Sequence, residues 1–429
     1  MSAGRPPSAG GAAPVPVAPG AGGAGEGALA DEGAASGSGR SPPRALSTAL
    51  IHHPYRPPPG FGAVPPAVHK ASTVLFADTA ALHRRNWRDK SSGYTYGLGG
   101  TPTSFLLEER LATLEGAEHA LLLPSGLAAI TLVDFALLKQ GDELLLPDNV
   151  YGPSRELARH ELAQFGIAHR FYDPMDAAGL AAAIGPRTRL VWIEAPGSVT
   201  MEFPDVPALA AACRARGVVS ALDNTWGAGV AFAPFEQGVD VSMQALTKYP
   251  SGGADVLMGV VTTRDAALHQ RLLGCRTRLG HGIGANDIEL VLRSLPSLAL
   301  RYAAQDAAGR RLAAWWQGRR EATRVLHPAL AGSPGHEHWA ARCSAAAGLF
   351  SVVFDTRYDA RRIDAFVDAL RLFGIGYSWA GPMSLAVPYD LRGLRGAAGG
   401  GMLVRFSVGL EALEDLIADC GQALAALKD

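Results

Sequence analysis

Surplus charge is missing from this sequence: 39 Lys and Arg stand against 40 Asp and Glu, a formal net charge of −1. Electrostatic capture of nucleic acid needs a basic surplus or stripe, so the balance argues against that class. The short clusters Arg84-Arg85 and Arg319-Arg320 read as solvated surface. Cysteine is equally sparse. Cys213, Cys275, Cys343 and Cys420 are scattered with no CxxC pair, which argues against a disulfide framework or a zinc site; reduced thiols and a cytoplasmic location are expected. Cys213 lies in an Ala-rich helical pattern and is expected to be a small core residue. No apolar run reads as a membrane span. The most apolar stretch, Ala120 to Leu138, contains Pro124, Gly126 and Asp134 and reads as strand, turn and helix. Neither GxGxxG after a first strand nor GxxxxGK[ST] occurs, which removes the fingerprints of an ordinary nucleotide-binding α/β protein. There is no internal repeat.

What is present is a chain of 429 residues, long enough for two or three domains and a sizeable core. Residues 1 to about 45 are nearly all Ala, Gly, Pro and Ser. They cannot bury enough apolar surface to offset their ordering entropy, and they lack the apolar core of a secretory signal and the Arg pattern of a transit peptide. A disordered tail is expected.

From Glu118 onward short apolar strands alternate with helical stretches. Strands are expected at His119–Leu123, Glu143–Leu146, Ala168–Tyr172, Arg189–Glu194 and Val218–Asp223. Helices are expected at Leu127–Leu138, Pro153–Gln164, Asp176–Ile184 and Val206–Arg216. Strand–helix repetition with short connections is the pattern of a parallel sheet covered by helices, an α/β fold whose ligands bind beyond the carboxyl ends of the strands. Ser125, Glu194 and Asp223 fall at such ends. A helical stretch Asp287–Ala307 leads away, and His336 to Asp429 carries its own strands (Gly348–Phe354, Met402–Val408) and helices (Arg361–Leu372, Glu411–Leu427), a smaller α+β domain.

Lys248 centres the chemistry. It follows an apolar strand and Thr247 and precedes Ser251-Gly252-Gly253, a setting suited to an imine with an aldehyde cofactor. Such a lysine must be partly desolvated for its amine to be neutral and nucleophilic. Asp223 follows the strand Val218–Leu222, where a carboxylate can keep a pyridine nitrogen protonated. Ser125-Gly126, at a strand-to-helix turn, offers backbone N–H groups and a positive helix end to a phosphate. Alone, each has a commoner structural reading: a surface lysine, a helix-capping Asp, an ordinary turn. In this order and spacing they form a far more specific set.

Beyond these residues, the sequence resembles the Cys/Met-metabolism family of pyridoxal 5'-phosphate (PLP) enzymes from about Pro57 to Asp429. The motifs include Tyr94–Thr103 (YTYGLGGTPT), Pro124-Ser-Gly126, Asn149–Ser154 (NVYGPS), Glu194–Ser198 (EAPGS), Asp223–Gly229 (DNTWGAG), Leu246–Tyr249 (LTKY), Tyr377-Ser-Trp379 and Leu403–Phe406 (LVRF). The resemblance implies an aspartate-aminotransferase-like fold (PLP fold type I). Its expected parts are an arm at 46–98, a PLP-binding large domain at 99–300 with a mainly parallel mixed sheet, and a small α+β domain at 301–429. It further implies a homotetramer of dimers with shared active sites and a small sulfur amino acid as substrate. By the same resemblance Lys248 binds the cofactor covalently, Asp223 pairs with the ring nitrogen and Tyr151 stacks on the ring. Gly126, Leu127 and Thr247 hold the phosphate, and Tyr96 reaches the phosphate of a neighbouring subunit. Arg405 takes the substrate carboxylate, in a region lined by Ser378 and Trp379. Tyr377 and the segment Glu194–Glu202 look most like the family's β-lyases, which implies α,β-elimination of L-cystathionine to homocysteine, pyruvate and ammonia. Cysteine desulfuration and γ-acting chemistry are the alternatives, and an inactive regulatory protein the remote one.

The sequence departs from the family pattern in places. Leu98 and Gly99 stand where many members carry a phosphate-binding arginine, a loss worth roughly 1.5–3 kcal/mol if uncompensated. Ala245 replaces a serine, Gly253-Ala254 a His-Ser, and Ala380–Ser384 (AGPMS) a segment with Glu before the serine.

Overall fold

The computed structural model describes residues 45–55, 57, 59–87, 93–391 and 401–427. The expected tail therefore lies outside the described residues, save Ala45. The chain opens with two short helices, α1 (Leu46–Ile51) and α2 (Thr79–Arg84), then α3 (Pro102–Glu115). Helix α3 starts where it does because Thr101 and Ser104 form a capping box and Pro102 needs no hydrogen bond; it stops at Gly116, whose φ is +70°.

There follow β1 (His119–Leu123), α4 (Gly126–Leu137), β2 (Glu143–Pro147), α5 (Gly152–Leu157), β3 (Ala168–Tyr172), α6 (Ala177–Ala183), β4 (Thr188–Glu194), α7 (Val206–Ala215), β5 (Val219–Asp223), β6 (Val241–Ala245) and β7 (Gly259–Thr263). These seven strands form one sheet in the order β1-β7-β6-β5-β4-β2-β3. β7 runs antiparallel to both β1 and β6, and the other pairings are parallel. Successive side chains of a strand point to opposite faces. Accordingly Leu122, Leu145, Val191 and Leu222 join one core cluster, while Leu121, Leu144, Leu190 and Ala221 join the other. Burial on both faces is why these strands read as continuous apolar runs.

Helices α8 (Ala266–Leu279), α9 (Ala285–Ser294) and α10 (Leu298–Gln317) lead to β8 (Ala322–Leu326), α11 (His336–Arg342), β9 (Leu349–Phe354), α12 (Ala360–Asp368), β10 (Gly374–Ile375), β11 (Leu385–Asp390), β12 (Met402–Ser407) and α13 (Leu413–Ala423). The second sheet has the order β10-β11-β12-β9-β8. Its core is built around Trp316 of α10, whose ring lies 5.5 Å from Phe354, 5.8 Å from Phe366 and 5.6 Å from Phe406.

Several expectations are corrected. The single stretch Asp287–Ala307 is α9, a 3-10 turn at Leu295–Ser297 and α10; Pro296 cannot supply the N–H that would carry one helix through. The helix expected at Pro153–Gln164 changes at Ala158 to a π-turn, Ala158–Leu162. The helix expected to reach Leu372 ends at Asp368, because Asp419 takes the Arg371 and Leu372 N–H groups instead. Helix α10 serves both cores: its Leu298 and Tyr302 pack with the large sheet's cluster and its Leu312 and Trp316 with that of the second sheet. Cys213 is buried in α7, as its pattern required.

Candidate active site

Three neighbouring strand ends meet at the site: β4 at Glu194, β5 at Asp223 and β6 at Ala245. Glu194 and Asp223 are register partners. Beyond β6 the chain winds into a tight turn, in which the Lys248 N–H donates to the Ala245 carbonyl at 3.1 Å and the Gly252 N–H to the Lys248 carbonyl at 2.9 Å. Gly252 has φ +63°, and a Cβ there would meet the Arg301 guanidinium, which donates to the Tyr249 carbonyl at 2.8 Å. This turn aims Lys248 across to the second sheet's loops. Its Nζ donates to Ser378 Oγ at 2.6 Å and lies 5.3 Å from the centre of the Trp379 ring. Burial, then the Arg405 cation, push the Lys248 amine down to about 8, with Asp223 opposing.

The Asp223 carboxylate is held by its own turn, accepting the Thr225 N–H at 3.0 Å. Burial raises its pKa, and its contact with Thr225 and the Lys248 charge pull the other way. Glu194 is pushed up to about 8, by burial first and by the Asp223 charge second. It accepts the Tyr151 N–H at 2.8 Å and the Ser198 hydroxyl at 2.5 Å. Ser198 in turn gives its carbonyl to Arg405 Nη1 at 3.2 Å. Arg405, buried in β12, lies with its guanidinium carbon 5.4 Å from the centre of the Tyr389 ring. One network thus joins the Tyr151 backbone to the Arg405 guanidinium.

At the end of β1, Ser125 caps α4 by accepting the Ala128 N–H at 3.0 Å. A Cβ on Gly126 would stand 2.6 Å from the Ala245 Cβ, so this turn closes onto β6 only with glycine. The Thr247 hydroxyl lies 3.5 Å from the Met258 carbonyl and accepts the Met258 N–H at 3.4 Å, both long contacts.

The structure brings most of the expected residues into one interacting group: Lys248, Ser378, Trp379, Asp223, Arg405 and Tyr151. Tyr151 is 42% exposed, and burial with the Asp223 and Glu194 charges raises its phenol. Tyr377 is 81% exposed and acts on Arg405 only electrostatically. Tyr96 is not joined to the group by any contact among the described residues; it pairs with Thr73 in an isolated bridge and is 54% exposed. Two of the departures touch: a Cβ on Gly381 would lie 3.1 Å from the Ala254 Cβ, so small residues at both positions go together.

Sequence reasoning missed the parts played by Ser198, Tyr389 and Glu115, and placed Glu194 at a strand end and in a family motif without assigning it a role. Glu115, the last residue of α3, accepts from Asn224 at 2.9 Å, Ser242 at 3.1 Å, Gln244 at 2.6 Å and Thr262 at 2.5 Å. The signal was there. Ser242, Gln244 and Thr262 are polar residues in otherwise buried strands, and buried polar groups require partners.

Chemically, the site offers a weakly basic amine, a half-buried carboxylate in the field of that amine, a pair of N–H groups at the start of a 12-residue helix, and a buried guanidinium. That donor set fits a phosphorylated pyridine aldehyde: amine for the aldehyde, Asp223 for the ring nitrogen, Gly126 and Leu127 for the phosphate.

Comparison with known proteins agrees. A family model described as "Cys/Met metabolism PLP-dependent enzyme" matches residues 47–425. A putative cystathionine β-lyase of Rhizobium johnstonii is 39% identical over 386 residues, covering 89% of this chain and 96% of that protein. The cystathionine β-lyase of Bordetella avium is 39% identical, covering 87% and 96%. An L-alanine/L-glutamate racemase of Wolbachia pipientis is 33% identical, covering 85% and 93%. Among solved structures, that of metB from Corynebacterium glutamicum superposes with a TM-score of 0.82 at 29% identity, covering 90% of this chain and 99% of that one.

Proposed function

The chain belongs to the Cys/Met-metabolism PLP-dependent enzymes of fold type I, and from that premise we propose that it catalyses α,β-elimination of L-cystathionine to homocysteine, pyruvate and ammonia. The observation that carries the proposal is Lys248: a buried amine lowered to about 8, aimed between Asp223 on the large sheet and the Ser378–Arg405 region of the small one. Cystathionine β-lyases among its relatives support the choice of reaction.

When bound, PLP supplies an electron sink that makes the substrate's Cα–H acidic and its Cβ–S bond cleavable. Every other task falls to side chains. Lys248 would hold the cofactor through its aldehyde, and its Nζ is placed to take the substrate's Cα proton and to give one to the departing sulfur. A neutral amine is needed for that, and desolvation provides it. Asp223 holds a proton at the ring nitrogen. Tyr151, whose N–H is fixed by Glu194, would cover the ring face. Gly126 and Leu127 bind the phosphate through their N–H groups, with the Thr247 hydroxyl beside them. Arg405 grips the substrate carboxylate with a planar fork in a region bounded by Ser378, Trp379 and Tyr377, which orients the Cα–H bond. Tyr96 serves the site of a neighbouring subunit, in a cytoplasmic homotetramer built from dimers. Among the described residues no helix is long and apolar enough to cross a membrane.

The test is product identification with PLP-loaded protein and L-cystathionine. Pyruvate with homocysteine is expected, and Lys248→Ala should abolish it. Cysteine with 2-oxobutyrate would replace the proposal with γ-elimination. Racemisation of L-alanine, with no C–S cleavage, would place the chain with its Wolbachia relative, since that reaction begins with the same removal of the Cα proton and ends with a proton returned to the opposite face of Cα.

A further inference from the structure

Arg405 stands in one row of the second sheet with Ser351 of β9 and Val387 of β11, its register partners on either side. The Ser351 hydroxyl donates to the Val199 carbonyl at 2.8 Å, and Arg405 Nη1 donates to the Ser198 carbonyl at 3.2 Å. Two neighbours in this row therefore pin the same segment beyond β4. Among the described residues that carbonyl is the one hydrogen-bond partner of Arg405, and the guanidinium forms no ion pair. Glu194 acts on it electrostatically, but that carboxyl already accepts the Tyr151 N–H and the Ser198 hydroxyl. Arg405 is only 8% exposed, and a cation so deeply buried needs a compensating partner.

β11 supplies one. Residues two apart on a strand share a face, so Tyr389 lies on the same face as Val387 and diagonally across from Arg405. That face is turned to the large sheet. Leu403, the register partner of Tyr389, joins the large sheet's core cluster and half-buried Tyr389 packs against it, whereas Val404 and Phe406 join the other cluster. The Arg405 guanidinium carbon lies 5.4 Å from the centre of the Tyr389 ring, within the range of about 6 Å over which a ring face attracts a cation. The Tyr389 hydroxyl makes no hydrogen bond among the described residues, so the ring itself is the contact. A carboxylate in this place would pair with the guanidinium and compete with an incoming anion. A ring face steadies the charge and leaves the planar fork to a carboxylate of the substrate.

We propose that Tyr389 is a positioning residue, whose ring holds the Arg405 guanidinium ready for the substrate's α-carboxylate. The inference rests on the reading of Arg405 as the carboxylate site, and not on which reaction follows.

The experiment titrates PLP-loaded protein with L-alanine and with ethylamine, reading each dissociation constant from the cofactor absorbance. The two ligands differ by the carboxylate and neither carries a leaving group, so the ratio of their constants isolates the carboxylate and needs no turnover. Wild type is compared with Tyr389→Phe, Tyr389→Leu and Arg405→Leu, each checked for native circular dichroism. The preference for L-alanine should fall about tenfold in Tyr389→Leu, stay within about twofold of wild type in Tyr389→Phe, and collapse in Arg405→Leu. An equal fall in Tyr389→Phe and Tyr389→Leu would assign the effect to the hydroxyl and overturn the role of the ring. A preference unchanged in Tyr389→Leu but lost in Arg405→Leu overturns the inference and leaves Arg405 as the carboxylate site. One that survives Arg405→Leu overturns both.

Discussion

Glu194 ends β4 directly beside Asp223 at the end of β5, and it is Glu194 that holds the Tyr151 N–H and the Ser198 hydroxyl. Two carboxyls so placed disfavour each other's ionisation. Glu194 is raised from 4.5 to about 8, so between those values the folded protein keeps a proton that the unfolded chain has lost. Stability of the cofactor-free protein should therefore fall as pH rises through that window, by on the order of a few kcal/mol. Glu194→Gln should flatten the slope. Urea unfolding at pH 5 and pH 8 measures it, and an equal slope in both proteins would remove Glu194 as its source.

The amine of Lys248 must be neutral to capture an aldehyde. With its pKa lowered to about 8, PLP recapture by the cofactor-free protein should quicken about tenfold per pH unit below that value and level off above it. Arg405→Leu removes one cause of the lowering and should move the midpoint upward. A wild-type rate still climbing at pH 10 would show an ordinary lysine.

Arg405→Lys keeps the charge but loses the planar fork and the bond to the Ser198 carbonyl. The expected result is weaker substrate binding, KM raised about tenfold or more, with cofactor absorbance unchanged. Unaltered kinetics would mean that another residue takes the carboxylate.

Gly126→Ala places a methyl where only 2.6 Å separates it from the Ala245 Cβ. The turn must open, so cofactor affinity should drop by at least tenfold while the fold persists by circular dichroism.

Glu115→Leu leaves four side-chain donors beneath the site without their acceptor. A loss of roughly 3–5 kcal/mol in unfolding free energy is expected. A loss under about 1 kcal/mol would mean that the donors find other partners.

The large sheet was legible because its strands are doubly buried, and apolar runs such as Leu121–Leu123 and Leu144–Leu146 are separated by turn residues. β7 was not foreseen: Gly259–Thr263 is a short run whose direction nothing local dictates, since antiparallel pairing with both β1 and β6 is decided by partners far away in sequence. Lys248 and Asp223 could be placed because each follows a strand. The Glu194–Ser198–Arg405 network could not, because its last link spans 207 positions. Helix ends at Asp368 and Ser294 were misjudged where a distant Asp419 or a proline intervened.

β7 also orders events in time. It is the seam between β1, which leads to the phosphate turn, and β6, which leads to Lys248, and it emerges from the ribosome only after residue 258 has been made. Until then β1 has no strand beside it in its sheet, and its edge waits unpaired for some 140 positions of synthesis. A chain cut short before Gly259 should carry nearly every cofactor-facing residue of the large sheet and yet hold no cofactor.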